Sequence, residues 1–136
     1  MIWMLDTDIL IYFINRKTGF EHIAKRMSGR SPGELRLSVI PLAELKFGVE
    51  NGEFRAENRR TLADILQLFQ TDDLPSGAAQ DFAEIKAALE PKGKTIGPYD
   101  MLSTAHARHS GATIVTNNEH EFRRVPGLAV QNWLKP

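Results

Sequence analysis

The sequence contains no cysteine among its 136 residues. This absence excludes a disulfide scaffold, a zinc site built on thiolates and a cysteine nucleophile, and it leaves the redox compartment open. Histidine is scarce too, with four residues. His106 and His109 are spaced three apart, but His106 falls on a different helical face from Asp100. The histidines therefore do not predict a shared zinc site.

Long hydrophobic runs are missing as well. No run approaches the roughly 20 apolar residues that a helix needs to cross a bilayer. The segment from Met1 to Leu5 has no basic residue and leads directly into Asp6 and Asp8, which is unlike a secretory signal. These absences predict a cytoplasmic protein that does not associate with a membrane.

An excess of charge of either sign is also lacking. Lysine and arginine number 17 and so do aspartate and glutamate, which argues against a polyanionic partner. The balance changes if several acids belong to one metal site. Setting aside five candidate acids leaves 17 basic residues against 12 acidic ones, an excess of five positive charges; the five are Asp6, Asp8, Glu44, Asp100 and Glu121.

Strand-like and helix-like periods alternate along the chain without a repeat or a linker. This alternation predicts a single α/β domain over residues 1–136, with a parallel sheet covered by helices on both faces. Residues 9–14 are compatible with either a helix or a continued strand. Strands are predicted at 1–5, 35–39, 112–115 and 128–130.

Capping residues define the predicted helix boundaries. Thr18 and Glu21 have the spacing of a capping box, and Gly29 ends that helix. Pro41 is predicted as the first residue of the next helix, which ends at Gly52. Three further helices are predicted: one with Leu62, Ile65, Leu66 and Phe69 on one face, one from about Ser76 to before Pro91, and one from Pro98 to about His109.

Acidic and amide side chains follow the predicted strands at one edge of the sheet. Asp6 comes directly after the first strand, Glu44 follows the second by one helical turn, and Asp100 lies in a first helical turn. Each has an ordinary structural interpretation, since aspartate caps helices and acids favour first turns. The segment TNNEHE after the third strand, residues 116–121, is typical of a turn.

Because such side chains follow several separate strands, a functional interpretation of these acids is favoured over the structural one. Ligands of open α/β sheets bind beyond the carboxyl ends of the strands, where several of these side chains would converge. Converging carboxylates repel one another unless a cation neutralises them. Oxygen ligands without cysteine select Mg²⁺ or Mn²⁺, so the pattern predicts a site for one of these ions.

Four segments resemble the PIN-domain ribonucleases of the VapC toxin type, from bacterial VapBC toxin–antitoxin pairs. They occur in family order over nearly the whole chain: MLDTDILIYFI, LSVIPLAELKFGVE, IGPYDMLSTAHA and GATIVTNNEHEFRRVPGLAVQNW. The resemblance implies an αβα sandwich around a parallel sheet of about five strands. It also implies a Mg²⁺- or Mn²⁺-dependent endoribonuclease that acts on structured RNA such as transfer RNA.

The resemblance also assigns roles to individual residues. Asp6 and Asp100 would hold the metal ion, and Glu44 would bind it or orient the attacking water. The more variable last acidic position of the family falls on Asn118 or Glu121, and Glu121 is taken as the catalytic candidate. The supporting residues are Thr7, Thr116 and Asn118, together with Asp8, which is either a ligand or a helix cap.

Two other functions compete with the nuclease interpretation. Asp6 and Asp8 after a strand are similar to the acids of haloacid-dehalogenase phosphatases, but that class explains neither Glu44 nor the IGPYD segment. A PIN-like module that binds RNA or a partner without cutting has no need of crowded carboxylates. Release of phosphate from a monoester would indicate the phosphatase, and metal-dependent cleavage of RNA would indicate the nuclease. A binding module would do neither.

Partners follow from the resemblance alone. It implies a cognate VapB-type antitoxin whose extended tail lies across the site, and it is compatible with a homodimer. Apolar residues on the early helices are candidates for either contact, although each of them also suits the core: Phe13, Phe20 and Phe47.

Overall fold

Strands and helices alternate in the computed structural model, which describes residues 1–136. Besides a short 3₁₀ turn at Glu90–Lys92, the elements in chain order are β1 (Trp3–Leu5), α1 (Thr7–Ile14), α2 (Phe20–Met27), β2 (Leu35–Ser38), α3 (Val39–Glu50), α4 (Arg55–Leu66), β3 (Gln70–Asp72), α5 (Ala78–Leu89), α6 (Pro98–His109), β4 (Thr113–Val115), α7 (Glu119–Phe122) and β5 (Ala129–Gln131).

The five strands form one sheet in the order β3-β2-β1-β4-β5, and all neighbouring pairs are parallel. The first strand is thus the central one. Leu5 pairs with Val115, so β1 and β4 end side by side. Because parallel strands share one carboxyl edge, Asp6 and Thr116 leave the sheet at neighbouring points. This edge carries the candidate site.

Side chains of the central strand alternate between two apolar layers. Trp3 and Leu5 pack into a cluster with α1 and α2, which includes Ile9 and Ile23. Met4 belongs to a second cluster on the opposite face, with residues of α6, β4 and α7. Both faces of the sheet are therefore covered, as strands that are apolar throughout require. The α/β fold class and the sheet of about five strands are confirmed.

Two predicted helix starts are wrong. The helix expected to open with a capping box at Thr18 begins at Phe20 after Gly19, whose left-handed backbone (φ 99°) displaces Thr18 into the preceding turn. The next helix begins at Val39 rather than Pro41, since the Ser38 hydroxyl caps it by accepting from the Ile40 N–H at 3.2 Å. Proline is accommodated there because first-turn N–H groups have no partner within the helix.

Three further segments differ from the sequence predictions. Residues 9–14, left open between helix and strand, belong to α1. Strand β3 had no prediction because it is polar, mostly exposed and three residues long. Phe69 lies beyond the end of α4, and the predicted turn after β4 includes the four-residue helix α7.

None of the helices is both long enough and apolar enough to span a membrane.

Candidate active site

Asp6 occupies the point where β1 passes into α1. Its side chain is buried, with the residue 5% exposed, although its backbone stands at the helix N-cap. Its carboxylate does not cap the helix. Instead, Oδ2 accepts a hydrogen bond from the Thr116 hydroxyl at 3.0 Å, while Oδ1 is buried without any partner. A buried oxygen without a donor is costly, so Asp6 is not explained by helix capping.

Asp8 joins the start of α1 to the loop after β4. Its Oδ1 accepts from the Ile9 N–H at 2.6 Å, and its Oδ2 accepts from the Asn117 N–H at 3.2 Å. The Thr116 hydroxyl is 3.5 Å from Oδ2. Asp8 thus has hydrogen-bond donors for both oxygens, in contrast to Asp6, and holds the two loops of the site together.

Glu44 reaches the same edge from α3. Because α3 begins at Val39, Glu44 lies in the second turn rather than one turn from a start at Pro41. Its Oε1 accepts a hydrogen bond from the Thr7 hydroxyl at 2.8 Å, across 37 residues of sequence. This bond fixes the glutamate beside the residue that follows Asp6.

Asp100 and the loop after β4 complete the acidic group. Asp100 is half-buried in the first turn of α6. In the loop, the Asn118 side-chain amide donates to Glu121 Oε2 at 2.6 Å, and the Asn118 backbone N–H donates to the Thr116 hydroxyl at 3.0 Å. Thr116 therefore links Asp6 to the segment that carries Glu121.

Burial and mutual repulsion raise the pKa values of several of these acids, which places them in one electrostatic environment. Burial raises the pKa of Asp6 to about 7, with further contributions from the charges of Asp8 and Asp100. Burial also raises the pKa of Asp100 to about 6, helped by Glu44, Glu121 and Asp8. Burial raises the pKa of Asp8 as well. All five acids predicted from the sequence therefore contribute to one region of negative charge.

This negative charge has no cationic counterpart in the protein. The salt bridges of the chain all lie elsewhere, and none includes any of the five acids. As the side chains stand, no three acids or histidines form a ready set of metal ligands. In donor chemistry and sign, however, the residues fit a hard divalent cation, and the unpartnered Oδ1 of Asp6 is a free oxygen ligand.

The histidines lie outside this group. His106 is buried and its Nδ1 is 2.7 Å from the Ser38 hydroxyl, whereas His109 Nδ1 is 3.0 Å from Asp81. The two rings therefore serve different contacts, and no shared zinc site exists. The bond between Ser38 and His106 was not predicted. The position of Ser38, three residues before Pro41, was a signal that it caps α3. Nothing in the sequence indicated that Ser38 also contacts His106.

The apolar candidates for partner contacts divide into two kinds. Phe13 is partly buried against the core, and Phe20 is partly buried at the start of α2. Phe47 is 67% exposed. Of the three, Phe47 alone is a largely solvent-facing ring.

Comparison with known proteins identifies the family. The PIN domain family matches residues 3–128, and the chain belongs to that family. Within it, the relatives are VapC ribonucleases. The chain is 38% identical to Ribonuclease VapC2 of Haemophilus influenzae, covering 97% of this chain and 98% of that protein. It is 33% identical to the tRNA(fMet)-specific endonuclease VapC of Shigella flexneri, covering 96% and 97%.

A solved structure agrees with this relationship. The VapC-type fold recurs in VapBC2 from Rickettsia felis bound to a promoter DNA fragment, with a TM-score of 0.88 and 34% identity over 98% of this chain and 99% of that chain. The predicted resemblance to VapC-type PIN ribonucleases is confirmed. The phosphatase alternative is set aside, because one family accounts for nearly the whole chain.

Proposed function

We propose that this chain is the toxin of a VapBC-type pair and a Mg²⁺- or Mn²⁺-dependent endoribonuclease that hydrolyses phosphodiester bonds in structured RNA. The observation that carries the proposal is the convergence of Asp6, Glu44 and Asp100 at one sheet edge without a compensating cation. A mere scaffold or binding module gains nothing from this repulsion.

The proposed roles carry the family's pattern over to the acids at this edge. Asp6 and Asp100 would hold the cation, and Glu44, which accepts a hydrogen bond from Thr7, would bind it or orient the attacking water. Thr116 holds the Asp6 carboxylate in place. A bound divalent ion lowers the pKa of water and stabilises the negative charge that develops on a phosphodiester. Asn118 donates a hydrogen bond to Glu121, and together these two side chains would help to position the cation.

No side chain at the site acts as a nucleophile in this mechanism. Water attacks the phosphorus and the P–O3′ bond breaks; the 3′ oxygen leaves and takes up a proton, so the RNA products carry 5′-phosphate and 3′-hydroxyl ends. Transfer RNA is the proposed substrate, because the Shigella flexneri relative is a tRNA(fMet)-specific endonuclease. A transfer-RNA substrate places the activity in the cytoplasm.

The proposed partner is a VapB-type antitoxin, as in the Rickettsia felis VapBC2 complex. A groove of about 240 Å³ opens beside the site between α1, α3 and α4. Its lining is part apolar and part polar, and Thr7 and Glu44 of the site are among the polar residues. We propose that the extended tail of such a protein lies on the apolar residues, which are Ile11, Ile14, Leu45, Val49 and Leu62. A homodimer remains a prediction, with exposed Phe47 as a candidate contact.

Cleavage of transfer RNA by the purified chain tests the proposal. We expect cleavage with Mn²⁺ or Mg²⁺, loss of cleavage with a chelator, and a decrease of at least a hundredfold in Asp6→Asn and Asp100→Asn. Asp64→Asn, an exposed aspartate of α4, is the matched control and should cleave normally.

A second readout measures metal binding independently of cleavage. An ion that binds only the folded state stabilises it, by about 2.7 kcal/mol at a concentration 100 times the Kd. Mn²⁺ should therefore raise the melting temperature of the wild type more than that of Asp6→Asn or Asp100→Asn. Undiminished metal-dependent cleavage by either variant contradicts the assignment, and tightly bound but uncut transfer RNA supports a binding module instead.

A further inference from the structure

A second cavity, lined by polar residues, lies between α2 and the segment after β5. It encloses about 460 Å³ and is lined by polar and charged residues together with Pro136. We name it the cationic pocket after four of these residues: Lys25, Arg26, Arg30 and Lys135. No acidic residue contributes to its lining.

Arg30 is held rigidly at this pocket. Its guanidinium lies over the ring of Trp3, 4.0 Å from the centroid, and 5.7 Å from the centroid of Trp133. Its Nε donates to the Arg26 carbonyl at 2.8 Å. Both tryptophans are buried, so the stack is anchored in the core. The two terminal nitrogens of Arg30 make no hydrogen bond within the protein and form a pre-oriented fork, the geometry that binds phosphate oxygens in pairs.

Two of the neighbouring cations have no acidic partner, whereas Lys135 is paired with Glu119. Lys25 and Arg26 form no salt bridge, whereas Arg36, Arg59 and Arg108 are each paired with carboxylates. Another acid, Glu34, lies near Arg30 but does not line the pocket. The pKa of its carboxyl is lowered mainly by a hydrogen bond from the Ser31 N–H, and the charge of Arg30 makes a smaller contribution. In a chain with no net charge, this is a local surplus of positive charge.

The cationic pocket adjoins the edge of the sheet that carries the acids. Lys135 forms a salt bridge with Glu119, the first residue of α7. Nearby, the Asn132 side chain donates to Asn117 Oδ1 at 3.2 Å, in the loop that also donates to Asp8. The segment after β5 therefore contacts both the cationic pocket and the loop that carries part of the acidic site.

We propose that the cationic pocket binds the phosphate backbone of the RNA substrate and positions the strand relative to the acidic site. This inference rests on the proposed ribonuclease function. An acidic peptide is the competing ligand, but the pocket offers no apolar residue other than Pro136 to a peptide side chain, unlike the groove beside Glu44. Multiple unpaired cations with a fixed guanidinium fork match a chain of phosphates.

Binding of unfractionated transfer RNA tests the pocket, with every protein carrying Asp6→Asn so that binding is measured without cleavage. We expect Lys25→Gln/Arg26→Gln to weaken binding about tenfold at moderate salt. The slope of log K against log salt should become shallower by about 1–2, as two phosphate contacts are lost. Arg55→Gln/Arg60→Gln removes the same charge from exposed positions of α4 and should change neither quantity by as much.

Arg30 provides a sharper test of geometry. Arg30→Lys keeps the charge but removes the fork, and should weaken binding severalfold while the melting temperature reports any loss of packing on Trp3. Unchanged affinity and salt dependence in Lys25→Gln/Arg26→Gln overturns the inference. So does a loss of antitoxin binding with transfer-RNA binding intact, which assigns the pocket to an acidic peptide.

The nuclease and the pocket fail separately in these experiments. If no metal supports cleavage but the pocket variants still lose transfer-RNA binding, the proposed activity falls and the RNA-binding surface stands. If the wild type cleaves in a metal-dependent way but the pocket variants bind transfer RNA normally, the reverse holds.

Discussion

At the scale of single residues, Asp6 is the position where stability and function oppose each other most directly. It is buried beside other acids, has one oxygen without a donor, and its pKa is raised to about 7. Ionising it in the folded state is therefore unfavourable. An apolar core or a capping aspartate avoids this penalty, so the residue is explained by what it binds.

Asp6→Asn is expected to stabilise the metal-free fold at alkaline pH. The folded carboxyl holds its proton to a higher pH than the unfolded one, so wild-type stability decreases as pH rises from about 4 to about 7. The amide carries no charge, so it avoids both the cost of burying an ionised carboxylate and the repulsion from Asp8 and Asp100. In chelator, urea denaturation at pH 8 should show a gain on the order of 2 kcal/mol, which disappears near pH 4.

The control for this effect is Asp64→Asn, which replaces an exposed carboxyl and should leave the pH dependence unchanged. A variant that is no more stable than the wild type at pH 8 would show that ionised Asp6 carries no penalty in the fold.

The sequence was sufficient to place Asp6 and Thr116 directly after strands, and the structure agrees. The strand order that makes β1 and β4 neighbours, and so brings the two residues together, was not predicted. The hydrogen bonds of Asp8 were not accessible in the same way. The Asp8 carboxylate accepts from the Asn117 N–H because of the path of the loop after β4. The path of a loop cannot be predicted from the hydrophobic periodicity of the sequence.

At the scale of elements, the helices that carry Glu44 and Asp100 are joined through a buried polar contact. Ser38 at the start of α3 lies 2.7 Å from His106 Nδ1 of α6. Burial lowers the pKa of His106 and favours the neutral ring. The contact therefore holds the start of α3 against α6, the two helices that carry Glu44 and Asp100.

A double-mutant cycle on Ser38→Ala and His106→Leu is expected to reveal this coupling. Ser38→Ala removes a helix cap and leaves a buried ring nitrogen without its partner, so it should cost about 2–3 kcal/mol. The two substitutions together should cost about 1 kcal/mol less than the sum of the single effects, measured by urea denaturation. Strictly additive effects would show that the two side chains act independently.

Element boundaries were predictable only where one local signal dominated. Pro98 after Gly97 marks the start of α6 correctly. At Pro41 two signals compete, because proline suits any position in a first turn and Ser38 supplies the cap. Strand β3 is held by Arg36, whose guanidinium pairs with Asp72 at 3.0 Å across the strands, rather than by apolar side chains. An ion pair between residues that are distant in sequence cannot be predicted from the residue pattern of either segment alone.

At the scale of the whole molecule, charge is separated although the total is zero. Five acids gather at the carboxyl edge of the sheet, and unpaired cations gather at the cationic pocket. The sequence arithmetic, with five acids set aside, predicted the basic surplus but not its location. Location depends on the packing of α2 against the segment after β5, which are distant in sequence.

The groove between α1, α3 and α4 gives a prediction for the complex with the antitoxin. A Cβ at Gly48, which lines the groove, would meet nothing within 4 Å. Gly48→Ala should raise stability by about 0.5–1 kcal/mol because glycine is unfavourable within a helix. Gly48→Leu should keep that gain and fill the groove, lowering antitoxin affinity at least tenfold in a calorimetric titration. Equal affinity of the Leu and Ala variants would place the antitoxin elsewhere.

The central position of β1 has a consequence for folding. The first strand of the sheet is paired on one side by β4, and Asp6 receives its hydrogen bond from Thr116, 110 residues later. The acidic edge therefore takes its final geometry only after a long-range strand pairing, because the chain between the two strands must close into a loop before that bond forms.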